Sequence, residues 1–124
     1  MNVLVVAAHP DDELLGVGGT LARHAKAGDT VHVLICGEGA TSRDADARGE
    51  VDALQSAARA AAATIGARPP VLLGLPDNRL DTLPRLDVIK AVDAVVCAVA
   101  PQIVYTHHAN DLNVDHRIVH EAVC

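Results

Sequence analysis

The chain opens with the apolar run Val3-Leu4-Val5-Val6-Ala7-Ala8, which leads directly into His9-Pro10-Asp11-Asp12-Glu13. The apolar run is too short for a helix and rich in valine, so it predicts a buried β-strand. Polar and rigid residues then stand where this strand ends. Ligands bind at the carboxyl ends of the strands in open α/β sheets. We therefore expect a functional site at this turn.

The turn has two interpretations. His9 offers an imidazole nitrogen and Asp12 a carboxylate oxygen three residues later, and Pro10 stiffens the chain between them. Imidazole and carboxylate groups are ligands that zinc accepts. The structural alternative is that Asp11 or Asp12 caps a helix beginning near Leu14. The turn by itself leaves both interpretations open.

Composition narrows the class of protein. Half of the 124 residues are hydrophobic, with one Tyr and no Phe or Trp, which predicts a single α/β domain over residues 1–124 with an aliphatic core. A net charge of −6 argues against nucleic acid or an anionic membrane as a partner. Three widely spaced cysteines and an N-terminus unlike a signal peptide predict a cytoplasmic protein.

Strand and helix patterns alternate along the chain. The predicted strands cover Val3–Ala8, Thr30–Cys36, Val71–Leu73 and Gln102–Thr106. The predicted helices cover Leu14–Ala27, Ala45–Gly66, Arg85–Ala98 and a segment from about Asp115. The third helix is expected to turn one apolar stripe to the core: Leu86, Ile89, Val92, Val96 and Val99. Such alternation predicts a Rossmann-like parallel sheet of order 3-2-1-4 with helices on both faces.

A second polar segment follows the fourth predicted strand. Four of the seven histidines lie in the last eighteen residues, namely His107, His108, His116 and His120. In a sheet of order 3-2-1-4, the first and fourth strands are neighbours, and a crevice opens beyond their carboxyl ends. The topology therefore brings this histidine-rich loop to the same place as His9 and Asp12.

Two motifs together resemble the PIG-L/LmbE family of zinc-dependent N-deacetylases. They are Ala8-His9-Pro10-Asp11-Asp12-Glu13 and Asp111-Leu112-Asn113-Val114-Asp115-His116-Arg117. The loops Gly37–Gly39 and Leu75–Arg79 also look like loops of this family. The family removes acetyl groups from sugars of the N-acetylglucosamine type. Its chains generally continue further, so we expect residues 1–124 to be the N-terminal part of the family fold, truncated at the C-terminus.

The resemblance implies a metal-dependent hydrolase. One zinc ion per chain would be held by His9, Asp12 and His116, with a metal-bound water as nucleophile and Asp11 as the general base. The partner would be a small N-acetylated sugar conjugate. An open sheet edge is also compatible with a homo-oligomer.

The sequence departs from the family pattern at Asn113, where some members carry a histidine that steadies the oxyanion. His107 or His108 could take over that task, and Asp115 could instead orient a ligand ring. The candidates for substrate binding are Arg43, Asp77, Arg79, His107 and Asn113. For the charged loop residues, the plain alternative is a surface ion pair of little energetic value.

A non-catalytic nucleotide-binding domain of Rossmann type is the alternative function. It would place phosphate near Gly16–Gly19, but the G-x-G-x-x-G pattern is not met because position 21 is Leu. The preceding acids would also repel phosphate. Two histidines and one carboxylate could hold iron as well as zinc, so the sequence leaves the native metal open.

Overall fold

The structure is a computed structural model that describes residues 1–39, 48–76 and 78–124. Its strands are β1 (Asn2–Ala7), β2 (Thr30–Gly37), β3 (Val71–Leu75) and β4 (Ile103–Tyr105). Its helices are α1 (Asp12–Lys26), α2 (Arg48–Thr64), α3 (Arg85–Val99) and α4 (Val114–Val123), with a short 3-10 helix at Leu80–Thr82.

The four strands form one parallel sheet in the order β3-β2-β1-β4, which confirms the predicted order. At the centre of this sheet, Val5 of β1 pairs with Val33 of β2 on one side and with Tyr105 of β4 on the other. The helices that follow β1 and β4 pack on opposite faces of the sheet, α1 on one face and α4 on the other. The carboxyl ends of these two strands therefore border the crevice in which a ligand site is expected.

Strand β1 is the centre of the core, and five of its six residues are buried. Its side chains alternate between the two faces of the sheet, as a β-strand requires. Val3 and Val5 belong to an apolar cluster with residues of α1 and α2, whereas Leu4 and Val6 belong to a second cluster with residues of α3 and α4. The prediction of helices on both faces is thus confirmed.

Helix α3 packs on the core with part of the predicted stripe: Val92 is buried, and Val96 and Val99 are partly buried against the core. Leu86 and Ile89 are 58% and 36% exposed, while Val88 and Val92 are buried, so the prediction that Leu86 and Ile89 face the core is wrong. Because α3 is apolar on several sides, its sequence contains more than one candidate stripe.

None of the helices in the described part of the chain has the length and apolar character needed to cross a membrane.

Several element ends also differ from the prediction. Strand β3 runs two residues further, to Leu75, and its pairing with β2 shifts register between Ile35 and Gly37. Gly74 accommodates this irregular strand end with a φ of +67°. Helix α1 begins at Asp12 rather than Leu14, and the 3-10 turn after β3 was not predicted.

The exit of β2 packs tightly against the turn after β1. The Gly37 N–H donates to the Ala8 carbonyl oxygen at 2.6 Å. A Cβ at Gly37 would lie 2.6 Å from that same oxygen and 3.3 Å from Cδ2 of His9. Only glycine fits here without displacing backbone, so β2 limits where the His9 side chain can stand.

Substituting Gly37→Ala should destabilise the fold by about 1–3 kcal/mol, since the added methyl group overpacks a rigid backbone contact. Urea unfolding measures this as a lower midpoint with an unchanged slope. The matched control is Gly19→Ala in α1, where a Cβ would meet nothing within 4 Å. That variant should be neutral or more stable by roughly 0.5–1 kcal/mol. Equal midpoints for the two variants would contradict the packing argument.

Candidate metal centre

Three side chains from the two ends of the chain meet in the crevice between β1 and β4. His9 and Asp12 lie at the exit of β1 and the start of α1, and His116 lies in the first turn of α4. The Asp12 Oδ2 atom is 3.4 Å from His9 Nδ1 and 3.0 Å from His116 Nε2. The two imidazole centroids are 5.3 Å apart. One potential ligand atom from each residue lies within 4.8 Å of the others.

The orientation of the His9 ring is set by Asp115. Asp115 Oδ2 lies 2.8 Å from His9 Nε2, and the carboxylate also accepts from the backbone N–H groups of Asn78 and Leu80 at 2.6 and 3.0 Å. Burial would raise the pKa of this fully buried carboxyl, but the His9 and backbone hydrogen bonds hold it below its usual value. An ionised carboxylate only accepts hydrogen bonds, so His9 Nε2 carries a proton, and Nδ1 faces Asp12.

Asp111 orients the second ring in the same way. Its Oδ2 lies 3.0 Å from His116 Nδ1, and this hydrogen bond lowers the pKa of the Asp111 carboxyl. The Nδ1 atom of His116 therefore carries a proton, and Nε2 faces Asp12. Carboxylates that fix the tautomer of a ligating histidine are the usual surroundings of a metal site.

The donor set fits a divalent cation. Two imidazole nitrogens and a carboxylate oxygen converge, and either protons on the rings or a cation in their place balances the carboxylate charge. Three protein ligands of the His/His/Asp type with room for a fourth are also typical of catalytic zinc. Burial lowers the pKa of His9, but its hydrogen bonds to Asp115 and Asp12 outweigh burial and raise this pKa to about 10.

A second group with ligand atoms of suitable spacing, His107, Asp111 and His116, does not fit a metal ion. The His107 ring stacks on the His116 ring with centroids 3.9 Å apart and planes inclined by 16°. A ligated ion lies in the plane of each imidazole, and two nearly parallel stacked rings share no such position. In addition, His107 Nε2 accepts the Ala8 N–H at 2.9 Å.

Asp11 occupies an unusual backbone conformation at the start of α1. Its φ is +98° and its ψ −25°, and its side chain makes no capping hydrogen bond. The capping interpretation therefore does not describe the side chain of Asp11, an exposed residue next to the candidate ligand Asp12. Gly16 and Gly19 lie inside α1 rather than in a loop before it, so they do not form the phosphate loop of the nucleotide-binding alternative.

Asn113 caps α4. Its Oδ1 accepts the N–H groups of Asp115 and His116 at 2.9 and 3.4 Å, and its Nδ2 donates to Asn78 Oδ1 at 3.2 Å. This cap places Asp115 and His116 at the first turn of the helix. Substrate binding by Asn113 stays a prediction, and so does the same role for His107.

The remaining substrate-binding candidates lie on loops. Arg79 is exposed in the loop after β3, directly before the 3-10 helix. Arg43 and Asp77 fall outside the described residues. His120 belongs to neither group of potential ligands found in the described part of the chain; its Nδ1 lies 2.7 Å from the His107 carbonyl oxygen.

Sequence reasoning missed two carboxylates of this centre. Asp111 belongs to the second motif, and its role is visible only in the structure, where it stands five residues before His116 and holds its ring. Glu13 is buried, and its Oε2 accepts the Asp11 N–H at 3.0 Å. The suggestion that Asp115 orients a ring is confirmed by its contact with His9, whereas the ligand role of that ring stays a prediction.

The family model described as "PIG-L: GlcNAc-PI de-N-acetylase" matches residues 4–124. The chain belongs to the PIG-L family. One family relative, a 1D-myo-inositol 2-acetamido-2-deoxy-alpha-D-glucopyranoside deacetylase from Rhodococcus erythropolis, is 35% identical over 135 residues, which cover 88% of this chain and 46% of the relative.

Solved structures share the PIG-L fold. N,N'-diacetylchitobiose deacetylase from Pyrococcus horikoshii aligns with a TM-score of 0.86 at 22% identity, over 98% of this chain and 47% of that one. The hydratase GalB from Pseudomonas putida aligns with a TM-score of 0.81 at 27% identity, over 98% and 53%. This chain thus spans about half the length of these relatives.

The raised pKa of His9 predicts how the stability of the metal-free protein depends on pH. His9 has an ordinary pKa of 6.5 when unfolded and about 10 when folded. The contribution of His9 to the free energy of unfolding is complete below pH 6.5. It is lost as the pH rises toward 10, because in this range only the folded state still binds the proton. Chemical unfolding between pH 7 and 9 should show stability falling by roughly 1 kcal/mol per pH unit.

Two controls test whether His9 is the source of this slope. The variant His9→Gln and the zinc-saturated protein should both show a flatter dependence, since the titrating proton is removed or replaced by the cation. His32→Gln, at a histidine of β2 whose pKa is lowered by burial, should keep the slope. A slope that persists in His9→Gln would refute the assignment.

Proposed function

We propose that this PIG-L chain carries the catalytic metal site of an N-deacetylase that hydrolyses the acetamide of an N-acetylated amino-sugar conjugate. The observation that carries the proposal is the convergence of His9 Nδ1, Asp12 Oδ2 and His116 Nε2 on one point in the crevice. Family membership and a deacetylase relative at 35% identity support the reaction class. One zinc ion per chain is the proposed cofactor.

His9, Asp12 and His116 would hold the ion and leave a coordination position open. When bound there, zinc polarises an amide carbonyl and lowers the pKa of a coordinated water. Asp115 and Asp111 keep both imidazoles in the ligating tautomer, so little rearrangement accompanies metal binding. The crevice at the carboxyl ends of β1 and β4 gives the acetamide access to this position.

Asp11 is the proposed general base. It directly precedes the proposed ligand Asp12, and it is exposed at the start of α1. As a base, it would accept a proton from the attacking water and pass that proton to the departing amine nitrogen. The amine leaves more easily when protonated, so one carboxylate serves both steps.

The substrate class follows from the relative named as acting on an acetamido-deoxy-glucopyranoside. Arg43, Asp77 and Arg79 are proposed to bind hydroxyl or anionic groups of the sugar conjugate from loops after β2 and β3. The loop after β3 is tied to the centre, because the Asn78 and Leu80 amides both donate to Asp115. His107 and Asn113 are proposed to lie beside the acetamide.

A second candidate is a hydratase, which the 27% identity to GalB at a TM-score of 0.81 favours. The same ligand set could activate water for addition to a substrate rather than for hydrolysis. The two reactions differ in their products. Only the deacetylase releases acetate and a free amine.

Two substitutions separate metal binding from proton transfer. His116→Ala should lose both bound zinc and acetate release from N-acetylglucosamine conjugates, because it removes one of three ligands. Asp11→Asn should keep its zinc and lose roughly 10²–10⁴-fold in kcat, since the amide cannot accept the proton. Metal analysis and an amine-release assay measure the two effects.

His32→Gln provides the matched control, because this histidine lies within β2, away from the carboxyl edge, and should retain zinc and activity. Unchanged zinc content in His116→Ala would disprove the site. Full activity in Asp11→Asn would be compatible with the proposed metal site but would contradict the role of Asp11 as the general base. A zinc-loaded wild-type chain that releases no acetate but hydrates an unsaturated acid would favour the second candidate.

A further inference from the structure

Glu13 is a buried carboxyl group that the proposed reaction does not use. It is 3% exposed and, with Asp115, is one of two buried charged or polar residues in the described part of the chain. It lines a cavity of about 80 Å³ with Leu14, Leu54 and Ala58, which is a largely apolar environment. Burying a carboxyl group is costly unless it makes hydrogen bonds. The cost of burying Glu13 therefore indicates that its carboxyl group makes a specific interaction.

The Glu13 carboxylate accepts hydrogen bonds from its own backbone N–H and from the backbone of Asp11. Glu13 Oε2 accepts the Asp11 N–H at 3.0 Å. On its other side, the Asp11 carbonyl oxygen accepts the N–H groups of Leu14 and Leu15, both at 2.9 Å. The Asp11 residue is thus held at both ends, by helix α1 through its carbonyl and by a side chain through its amide.

Asp11 needs such support because its backbone is strained. A φ of +98° lies in the region that glycine adopts readily and that residues with a Cβ avoid. Residues persist in such conformations when the surrounding structure fixes them, and they cluster at functional sites. An aspartate at a position that favours glycine indicates that the side chain is needed in this place.

We propose that Glu13 is a positioning residue for the base Asp11: its buried carboxylate holds the Asp11 amide and so keeps the left-handed turn that presents the Asp11 side chain. This inference rests on the proposed function. Neither group of potential metal ligands among the described residues includes Glu13. The metal ligands and the base are therefore supported by different carboxylates, Asp115 and Asp111 for the rings and Glu13 for Asp11.

The variants Glu13→Met and Glu13→Gln test the inference. Methionine keeps the length of the side chain without an acceptor, whereas glutamine retains an amide oxygen that can accept the same N–H. In Glu13→Met we expect kcat for acetate release to fall at least about tenfold, because a small displacement of the Asp11 carboxylate from its reacting position lowers the rate strongly. KM and zinc affinity should stay within about twofold. Glu13→Gln should recover most of the lost kcat.

Amide hydrogen exchange gives a readout that does not depend on activity. The Asp11 amide should exchange roughly tenfold faster in Glu13→Met than in the wild type, while the Leu14 and Leu15 amides keep their protection. Glu13→Gln should restore slow exchange at Asp11. These results would hold even if the wild-type chain released no acetate, in which case the proposed function fails and the positioning of Asp11 stands.

Four outcomes would overturn the inference. Glu13→Met could exchange at Asp11 as slowly as the wild type, or retain full kcat in a chain whose activity depends on Asp11. It could also lose folding or zinc in parallel with activity, which would make Glu13 a support of the whole turn. Failure of Glu13→Gln to recover what Glu13→Met loses would equally exclude the hydrogen bond as the cause.

Discussion

The hydrogen bond between His9 Nε2 and Asp115 Oδ2 connects the two ends of the chain across 106 residues. Asp115 is fully buried, and it also takes the Asn78 and Leu80 amides, so the loop after β3 is fixed by the same carboxylate. Removing the Asp115 carboxylate would take the acceptor away from the buried Leu80 N–H, and a buried donor without its acceptor costs about 1–3 kcal/mol. The Asp115 carboxylate thus stabilises both the candidate metal centre and the loop that follows β3.

The fold and the side chains of the candidate metal centre give different information about the reaction. The PIG-L fold includes deacetylases and also the hydratase GalB, so the architecture alone does not define a reaction. The donor set is more informative. His9 and His116 each turn one ring nitrogen toward Asp12, because a second carboxylate holds the opposite nitrogen. The chemistry proposed for this chain follows from those ring orientations and from the exposed Asp11 residue beside them.

Much of this could be predicted from the sequence, because the deciding signals are local. The valine-rich run and its polar turn identify β1, and strand–helix alternation with right-handed crossovers gives the sheet order. The meeting of His9 with His116 then follows from topology. The burial of Val88 instead of Leu86 and Ile89 could not be predicted, because the apolar residues of α3 form more than one candidate stripe. Nor could the burial of Glu13, since an acid at a helix start usually lies in solvent and favours the helix dipole.

The most direct test of the central claim is X-ray absorption spectroscopy of the zinc-loaded chain. We expect two imidazole nitrogens at about 2.0–2.1 Å and oxygen ligands at about 2.0–2.2 Å, with no sulfur in the coordination sphere. His116→Ala should lower the imidazole count to one or abolish specific binding. A spectrum showing a sulfur ligand at about 2.3 Å, or a single imidazole in the wild-type chain, would contradict the proposed centre.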